Sequence, residues 1–156
     1  MWVIVHQQEQ FLSSFKVSPS GYRIPPLRKE NTYYMKRKQQ VYYLGYIPDS
    51  QADEAGIMGG SIFVDNGALK HIADTHRREL AQLGMSAMEL VSAVASGYTE
   101  IRQGSDNSIL LVVRKRPNQV LAIRLHCYPI MHFYEVATSF PARNEVLKDY
   151  ELLYKK

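Results

Sequence analysis

The feature that most constrains the fold is a change in hydrophobic spacing at Gly97. Before this glycine, from residue 69 to 95, apolar residues recur at steps of three and four, which is typical of helices. After it the spacing changes to two, which is typical of strands, and the connections are short and rich in turn-forming residues. Such short connections make consecutive strands antiparallel neighbours. The sequence therefore predicts an α+β domain in which two helices precede a four-stranded antiparallel meander and pack against it.

The two predicted helices carry recognisable start and stop signals. The first follows a cap at Asp65, ends at Gly84, and has an apolar stripe at helical spacing made of Leu69, Ile72, His76, Leu80 and Leu83. The second begins at Ser86, because Ser86 and Glu89 have the spacing of a capping box, and it ends at Gly97.

The strands of the meander are predicted at residues 98–102, 108–115, 120–127 and 130–138. Earlier strands are predicted at 40–47 and 61–64, with a loop over 51–60. The tail over 144–154 fits either a short helix or a last strand.

The first part of the chain differs from the rest. Residues 16–40 contain three prolines and have no helical periodicity, which indicates an irregular arm. We therefore expect residues 1–60 to form an N-terminal arm or accessory segment, and residues 61–156 to form the domain itself.

Composition limits the class of protein. The chain has 156 residues, and its single cysteine cannot form an internal disulfide. No apolar run approaches the roughly 20 residues that a membrane-spanning helix needs, so no membrane span is expected. The net charge of +4 gives a weak bias towards anionic partners such as nucleic acid, although on composition alone it is better explained as a charge that keeps the protein soluble.

Two histidines on the first predicted helix are candidates for chemistry. His71 and His76 are five residues apart, which places them roughly 140° apart around a regular helix and argues against a shared metal ion. His76 falls within the apolar stripe and His71 points away from it. The structural alternative is therefore a buried, hydrogen-bonded His76 and a surface His71.

Cleavage of RNA without a metal offers a use for such residues. One group removes the proton of a ribose 2′-OH, another protonates the leaving 5′-oxygen, and fixed cations and hydroxyls stabilise the phosphorane. Strand alternation puts Arg124 and His126 on one face, and it puts His132, Tyr134 and Thr138 together. Such a polar face suits a cleft floor or the solvent side of a sheet.

The run from Ile62 to Thr138 resembles the barnase–EndoU–colicin–RelE-like ribonucleases of phage proteins and polymorphic bacterial toxins. The resemblance lies in a short strand leading into Leu69–Ile72, then His76–Leu80, a second helix, and a meander that ends in Tyr134–Phe140. It implies a toxin-type endoribonuclease that needs neither metal nor cofactor and cuts RNA, often tRNA, to leave a 2′,3′-cyclic phosphate.

The resemblance also implies roles for particular residues. It assigns the catalytic positions to His71, His76, Arg124 and Thr138, and substrate binding to Arg114, Lys115, Tyr134 and Ser139. The expected partners are RNA and an acidic immunity or antitoxin protein. The expected place of action is the cytoplasm, with delivery from a phage or a secreted carrier protein.

Two alternatives from other classes remain open at this point. One is a catalytically inactive nucleic-acid-binding or phage-associated module of the same fold. The other is an immunity or regulatory protein, which the basic pI of about 9.1 disfavours, because the inhibitors of basic nucleases are usually acidic.

Overall fold

The computed structural model describes residues 15–16, 41–128 and 131–156. Most of the predicted N-terminal arm lies outside the described residues. The strands are β1 (Phe15–Lys16), β2 (Val41–Ile47), β3 (Gly60–Asp65), β4 (Glu100–Gln103), β5 (Ile109–Val113), β6 (Asn118–Tyr128), β7 (Met131–Ala142) and β8 (Leu152–Lys155). The helices are α1 (Asp49–Ala55), α2 (Asn66–Thr75), α3 (Arg77–Leu83), α4 (Ala87–Gly97) and α5 (Asn144–Leu147).

One mixed sheet forms the framework of the protein. Its strand order is β1-β2-β3-β7-β6-β5-β4-β8, in which β1 is a two-residue extension at one edge. The strands β4, β5, β6 and β7 pair antiparallel in succession, whereas β3 runs parallel to β7. The α+β class and the meander are therefore confirmed. The prediction of two helices and four strands is too simple, because β2, β3 and β8 widen the sheet and the described residues contain five helices.

Helix α4 forms the centre of the core. Its cap is the expected capping box, in which Glu89 N–H donates to Ser86 Oγ at 3.1 Å and Ser86 N–H donates to Glu89 Oε1 at 3.3 Å. Leu90, Val91 and Val94 are fully buried against the sheet. Each such side chain contributes about 1.5–3 kcal/mol of burial free energy, so α4 is the main element that holds the sheet to its helical layer.

The first predicted helix is divided at His76. Helix α2 begins where the Asp65 side chain accepts a hydrogen bond from Ala68 N–H at 2.8 Å, as its cap predicts. At His76 the backbone leaves helical geometry, with φ −114° and ψ 31°, and α3 follows. Ile72 before the break and Leu80 after it are both buried. The apolar stripe is thus real, but it lies on two short helices rather than one.

Residues 41–60 pack with the rest of the chain. The stretch predicted as a loop contains α1, whose Ala52 and Ala55 are buried in the same cluster as Leu44 and Ile47 of β2. Gly56, at φ 71°, ends α1 in the left-handed conformation that suits glycine. The stretch 41–60, which the sequence places in an arm, therefore contributes to the common core.

The C-terminal tail contains both predicted alternatives. It forms α5 and then β8, which pairs antiparallel with β4. Leu147 of α5 packs on Leu110, Val112, Val120 and Ala122, on the side of the sheet opposite α4. We call this side the α5 face, and the side covered by α2–α4 the α4 face.

A bulge in β7 changes which residues reach each face. Ala122 pairs with Thr138, but the next residue of β6, Ile123, pairs with Val136, so one extra residue stands in β7. Before the bulge, Tyr134 and Val136 lie in the core on the α4 face; after it, Phe140 packs on the α5 face. Thr138, opposite Ala122, is therefore on the α5 face and not beside Tyr134, contrary to the expected alternation.

Within the described ranges, no helix combines the length and the apolar character that crossing a membrane requires.

Candidate functional site

Arg124, His126 and Glu135 form a charged cluster on the α5 face. His126 Nε2 lies 3.0 Å from Glu135 Oε2. Arg124 is exposed and is paired in register with Glu135 across the antiparallel ladder, so the two side chains leave the same face side by side. His126 follows Arg124 by two positions, on the same face of β6. We call these three residues the Arg–His–Glu site.

An aromatic row holds the imidazole of this site. The ring of His126 stacks on Phe133 with a centroid distance of 5.2 Å and an interplanar angle of 19°. Phe133 in turn meets Phe63 edge-on at 5.8 Å, and Phe63 meets Tyr43 at 5.7 Å. Because Phe133, Phe63 and Tyr43 are all buried, the plane of the His126 ring is set by rigid neighbours on three adjacent strands.

The exposure of the three side chains suits contact with a ligand. The His126 side chain retains 32% of its accessible surface and that of Glu135 retains 14%, while Arg124 is exposed. A carboxylate that is largely removed from water, beside a partly exposed imidazole, can share a proton with it and exchange that proton with a bound molecule.

Thr138 lies near this cluster on the same face. It is opposite Ala122, the residue two positions before Arg124 on β6. Its Oγ1 is buried and has no hydrogen-bond partner in the described part of the chain. Such an unpaired hydroxyl costs free energy, so packing does not explain why a threonine stands here rather than a valine.

His76, between α2 and α3, contacts an aromatic residue of β7. Among the described residues, β3 pairs with β7 only at Tyr134 and Glu135, and α2 packs against β7. The His76 ring lies 6.0 Å from that of Phe140, on the α5 face, and its Nδ1 is 3.7 Å from Glu79 Oε1. Its side chain is 20% exposed, so it is half-buried as the stripe predicts but still reaches solvent.

His71 lies apart from these residues. It is exposed on α2, and its Nδ1 is 3.5 Å from Thr75 Oγ1 one turn further along the same helix. The structure therefore brings Arg124 and Thr138 to the α5 face, places His76 against Phe140, and leaves His71 outside the group.

Tyr134 and Ser139 have structural partners. Tyr134 is 1% exposed, and its hydroxyl donates to the Met58 carbonyl at 2.6 Å. Burial raises the pKa of Tyr134 to about 12. Ser139 is fully buried and donates to the Val120 carbonyl at 2.6 Å. Both hydroxyls hold the core together, and neither reaches the surface where a substrate would lie.

Arg114 and Lys115 lie at the end of the sheet where β5 ends and β6 begins. Both line a groove of about 670 Å³. Arg114 Nε donates to Glu100 Oε1 at 2.9 Å, and Glu100 Oε2 accepts from Arg102 Nε at 3.0 Å. Burial raises the pKa of Glu100, but hydrogen bonds and charge from both arginines lower it more, so its net pKa lies below the ordinary value. The buried carboxylate is thus ionised and fixes Arg114 at the groove.

Sequence reasoning placed His126 beside Arg124 but missed Glu135 as a functional residue. The signal that could have found it is the pairing between β6 and β7. Once Tyr128 is paired with Met131, Arg124 falls opposite Glu135, and His126 lies diagonally across from it.

Comparisons of the chain with models of protein families, with curated proteins and with solved structures give no match.

Proposed function

We propose that the protein is an endoribonuclease of the toxin type, which cleaves RNA by attack of a ribose 2′-OH and requires no metal ion. The observation that supports this most strongly is the His126–Glu135 pair, with Nε2 and Oε2 3.0 Å apart, beside the exposed Arg124. These are the residue types that the reaction needs, and they share one face of two adjacent strands.

The reaction needs two proton transfers. A base takes the proton of the 2′-OH while O2′ bonds to phosphorus, and an acid gives a proton to the 5′-oxygen as its bond to phosphorus breaks. A coupled carboxylate and imidazole provide both functions, because one member accepts a proton as the other releases one. The products are a 2′,3′-cyclic phosphate and a free 5′-hydroxyl.

Arg124 has an electrostatic role in this scheme. The phosphorane gains negative charge, and an exposed guanidinium beside the acid–base pair stabilises that charge more strongly than it stabilises the starting phosphodiester. Thr138 on the same face and His76, whose ring lies 6.0 Å from that of Phe140, complete the proposed site. In this arrangement His71, which the family resemblance includes, is not needed.

The wider biology follows the same proposal. An RNA-cleaving toxin acts in the cytoplasm of a target cell, reaches it from a phage or a secreted carrier, and is held inactive by an acidic immunity or antitoxin protein. An excess of basic residues favours such an acidic partner through charge complementarity.

The decisive experiment compares three single histidine variants on a labelled RNA in the presence of a chelator. His126→Ala is expected to lower the rate by about 10²–10⁴-fold, the usual contribution of a general acid or base. His76→Ala is expected to lower it less. His71→Ala is the matched control, because it removes an exposed imidazole from the same protein, and we expect the normal rate.

Glu135→Gln and Arg124→Gln test the other two members of the site. Each is expected to slow cleavage by at least about 10²-fold with an unchanged far-ultraviolet circular dichroism spectrum. A wild-type rate in the His126 or Glu135 variant would contradict the proposed site. If the wild-type protein binds RNA and leaves it intact, the inactive nucleic-acid-binding module is the correct description.

A further inference from the structure

A groove at one end of the sheet carries a high density of positive charge. Its volume is about 670 Å³, and five of the nine described residues that line it are cations, namely Arg114, Lys115, Arg116, Lys155 and Lys156. We call it the cationic groove.

The fold brings these cations together from two separate parts of the chain. Residues 114–116 follow β5 in the connection to β6, whereas Lys155 and Lys156 come from the end of β8. They meet because both β5 and β8 pair with β4: Glu100 is paired with Val112 on one side and with Lys155 on the other. The main chain is tied here as well, since Lys156 N–H donates to the Thr99 carbonyl at 2.8 Å.

Arg114 is held in place before any ligand arrives. Its Nε donates to Glu100 Oε1 and its Nη1 donates to Asn144 Oδ1, each at 2.9 Å. Asn144 Oδ1 also accepts from Asn118 Nδ2 at 2.7 Å. In the described part of the chain Nη2 of Arg114 has no protein partner. A fixed guanidinium with one nitrogen to spare loses little entropy when it bonds an anion.

Among the described residues that line the groove, the negative charge does not balance the positive charge. Glu100 is the only carboxylate side chain among the nine described lining residues, and it is already shared between Arg114 and Arg102. An excess of cations in one concave surface creates a positive potential that attracts and concentrates anions.

The chemistry of the lining distinguishes between two kinds of polyanion, an acidic protein and a nucleic acid. The described residues that line the groove are all charged or polar, with Thr99, Asn118 and Asn144 beside the cations. A protein partner would need apolar side chains at the centre of the interface, and none is among the described residues that line this groove. Arg, Lys, Asn and Thr side chains are the groups that bond phosphate and sugar oxygens in nucleic-acid complexes.

We propose that the cationic groove binds the sugar–phosphate backbone of nucleic acid. This inference does not depend on the proposed function, because binding a backbone requires no cleavage. Six residues of β6, about 20 Å of strand, separate Asn118 at the groove from Arg124, so the groove is a second contact site and not part of the Arg–His–Glu site.

The test measures binding of the full chain to a labelled 2′-O-methyl RNA, which cannot be cleaved by 2′-OH attack. Two double variants remove cations from the two sides of the groove: Lys115→Gln with Arg116→Gln, and Lys155→Gln with Lys156→Gln. Each is expected to weaken binding by about ten-fold at low salt. Each should also lower the slope of log affinity against log salt by about 1.4, the value for two lost phosphate contacts on a single strand.

The matched control removes two exposed cations elsewhere, Lys70→Gln with Arg77→Gln, both of which contact Asp74. Its affinity should stay within about two-fold of wild type, and all variants should keep the wild-type melting temperature. An equal loss in the control would overturn the proposal, since binding would then follow net charge alone. Displacement of the RNA by polyglutamate at the same charge concentration would also overturn it, in favour of an acidic protein partner.

Discussion

Replacing Glu100 with glutamine is expected to destabilise the protein substantially. The carboxylate is 2% exposed and accepts hydrogen bonds from both Arg102 and Arg114. Arg102 is also largely buried, and its Nη1 donates to the carbonyls of Leu147 and Tyr150. The Glu100→Gln change therefore leaves a buried guanidinium without its counter-charge at the point where the tail is attached to β4.

The size of the effect follows from the unequal burial of the two arginines. Removing one partner of a buried ion pair costs about 3–5 kcal/mol, because the remaining charge is uncompensated. The Arg114 side chain is 39% exposed and can return to water, whereas that of Arg102 is only 10% exposed. Only Arg102 carries the full penalty, so we expect Glu100→Gln to lower the free energy of unfolding by about 3 kcal/mol. For a chain of this length that corresponds to a fall in melting temperature of about 6–12 °C.

The effect has a defined dependence on pH. The net pKa of Glu100 in the folded protein lies below its ordinary value of 4.5. A lowered folded-state pKa contributes stability above the unfolded value, and that contribution is lost as the pH falls through the folded-state pKa. The difference between wild type and Glu100→Gln should therefore be constant near neutral pH and shrink below about pH 4.5.

Urea denaturation followed by circular dichroism at a series of pH values measures this difference. Asp74→Asn is the control, because it removes a carboxylate from the exposed Lys70–Asp74 ion pair and should leave the midpoint unchanged. The argument from burial would be refuted if Glu100→Gln lost less than about 1 kcal/mol of unfolding free energy. It would also be refuted if the difference in stability between this variant and wild type persisted at low pH.

Further substitutions separate structural hydroxyls from a functional one. Thr138→Val should raise stability by about 1 kcal/mol in thermal denaturation, because it removes a buried hydroxyl that has no partner among the described residues. The same variant should slow RNA cleavage. A loss of stability would show that the hydroxyl has a hydrogen-bond partner in solution. Tyr134→Phe should lower stability by about 1 kcal/mol, since the bond to the Met58 carbonyl is lost, with cleavage unchanged. Ser139→Ala should behave in the same way through the bond to the Val120 carbonyl, and a cleavage defect in either variant would return these residues to the site.

The parts of the fold that were predicted correctly depend on local signals in the sequence. The capping box of Ser86 and Glu89, the cap at Asp65 and the turn residues of the meander depend on neighbours within a few residues. Those elements are present where they were expected. The apolar stripe also predicted the burial of Ile72 and Leu80, because burial follows the helical period even where the helix breaks.

Pairing between distant strands could not be predicted in the same way. Nothing local indicates that β3 runs parallel to β7, or that residues 49–55 form α1 and bury Ala52 and Ala55. The Arg–His–Glu site depends on the register of β6 against β7, and a shift of one residue would turn Glu135 to the other face. The site is therefore a property of the sheet as a whole.

The extra residue in β7 makes the bulge a point at which this strand can lose one residue without turning its other side chains over. The bulge at Ala122 and Ile123 reverses the phase of β7, so that Tyr134 and Thr138 serve opposite sides of the sheet. Deleting Ala137 would restore regular alternation and leave Thr138 opposite Ala122 on the α5 face, because the extra residue would be gone and the registers on either side of it would be kept. Over the course of divergence, a one-residue deletion at this point would keep both halves of the strand in place, whereas an insertion or deletion elsewhere in β7 would exchange the protein's interior for its exterior.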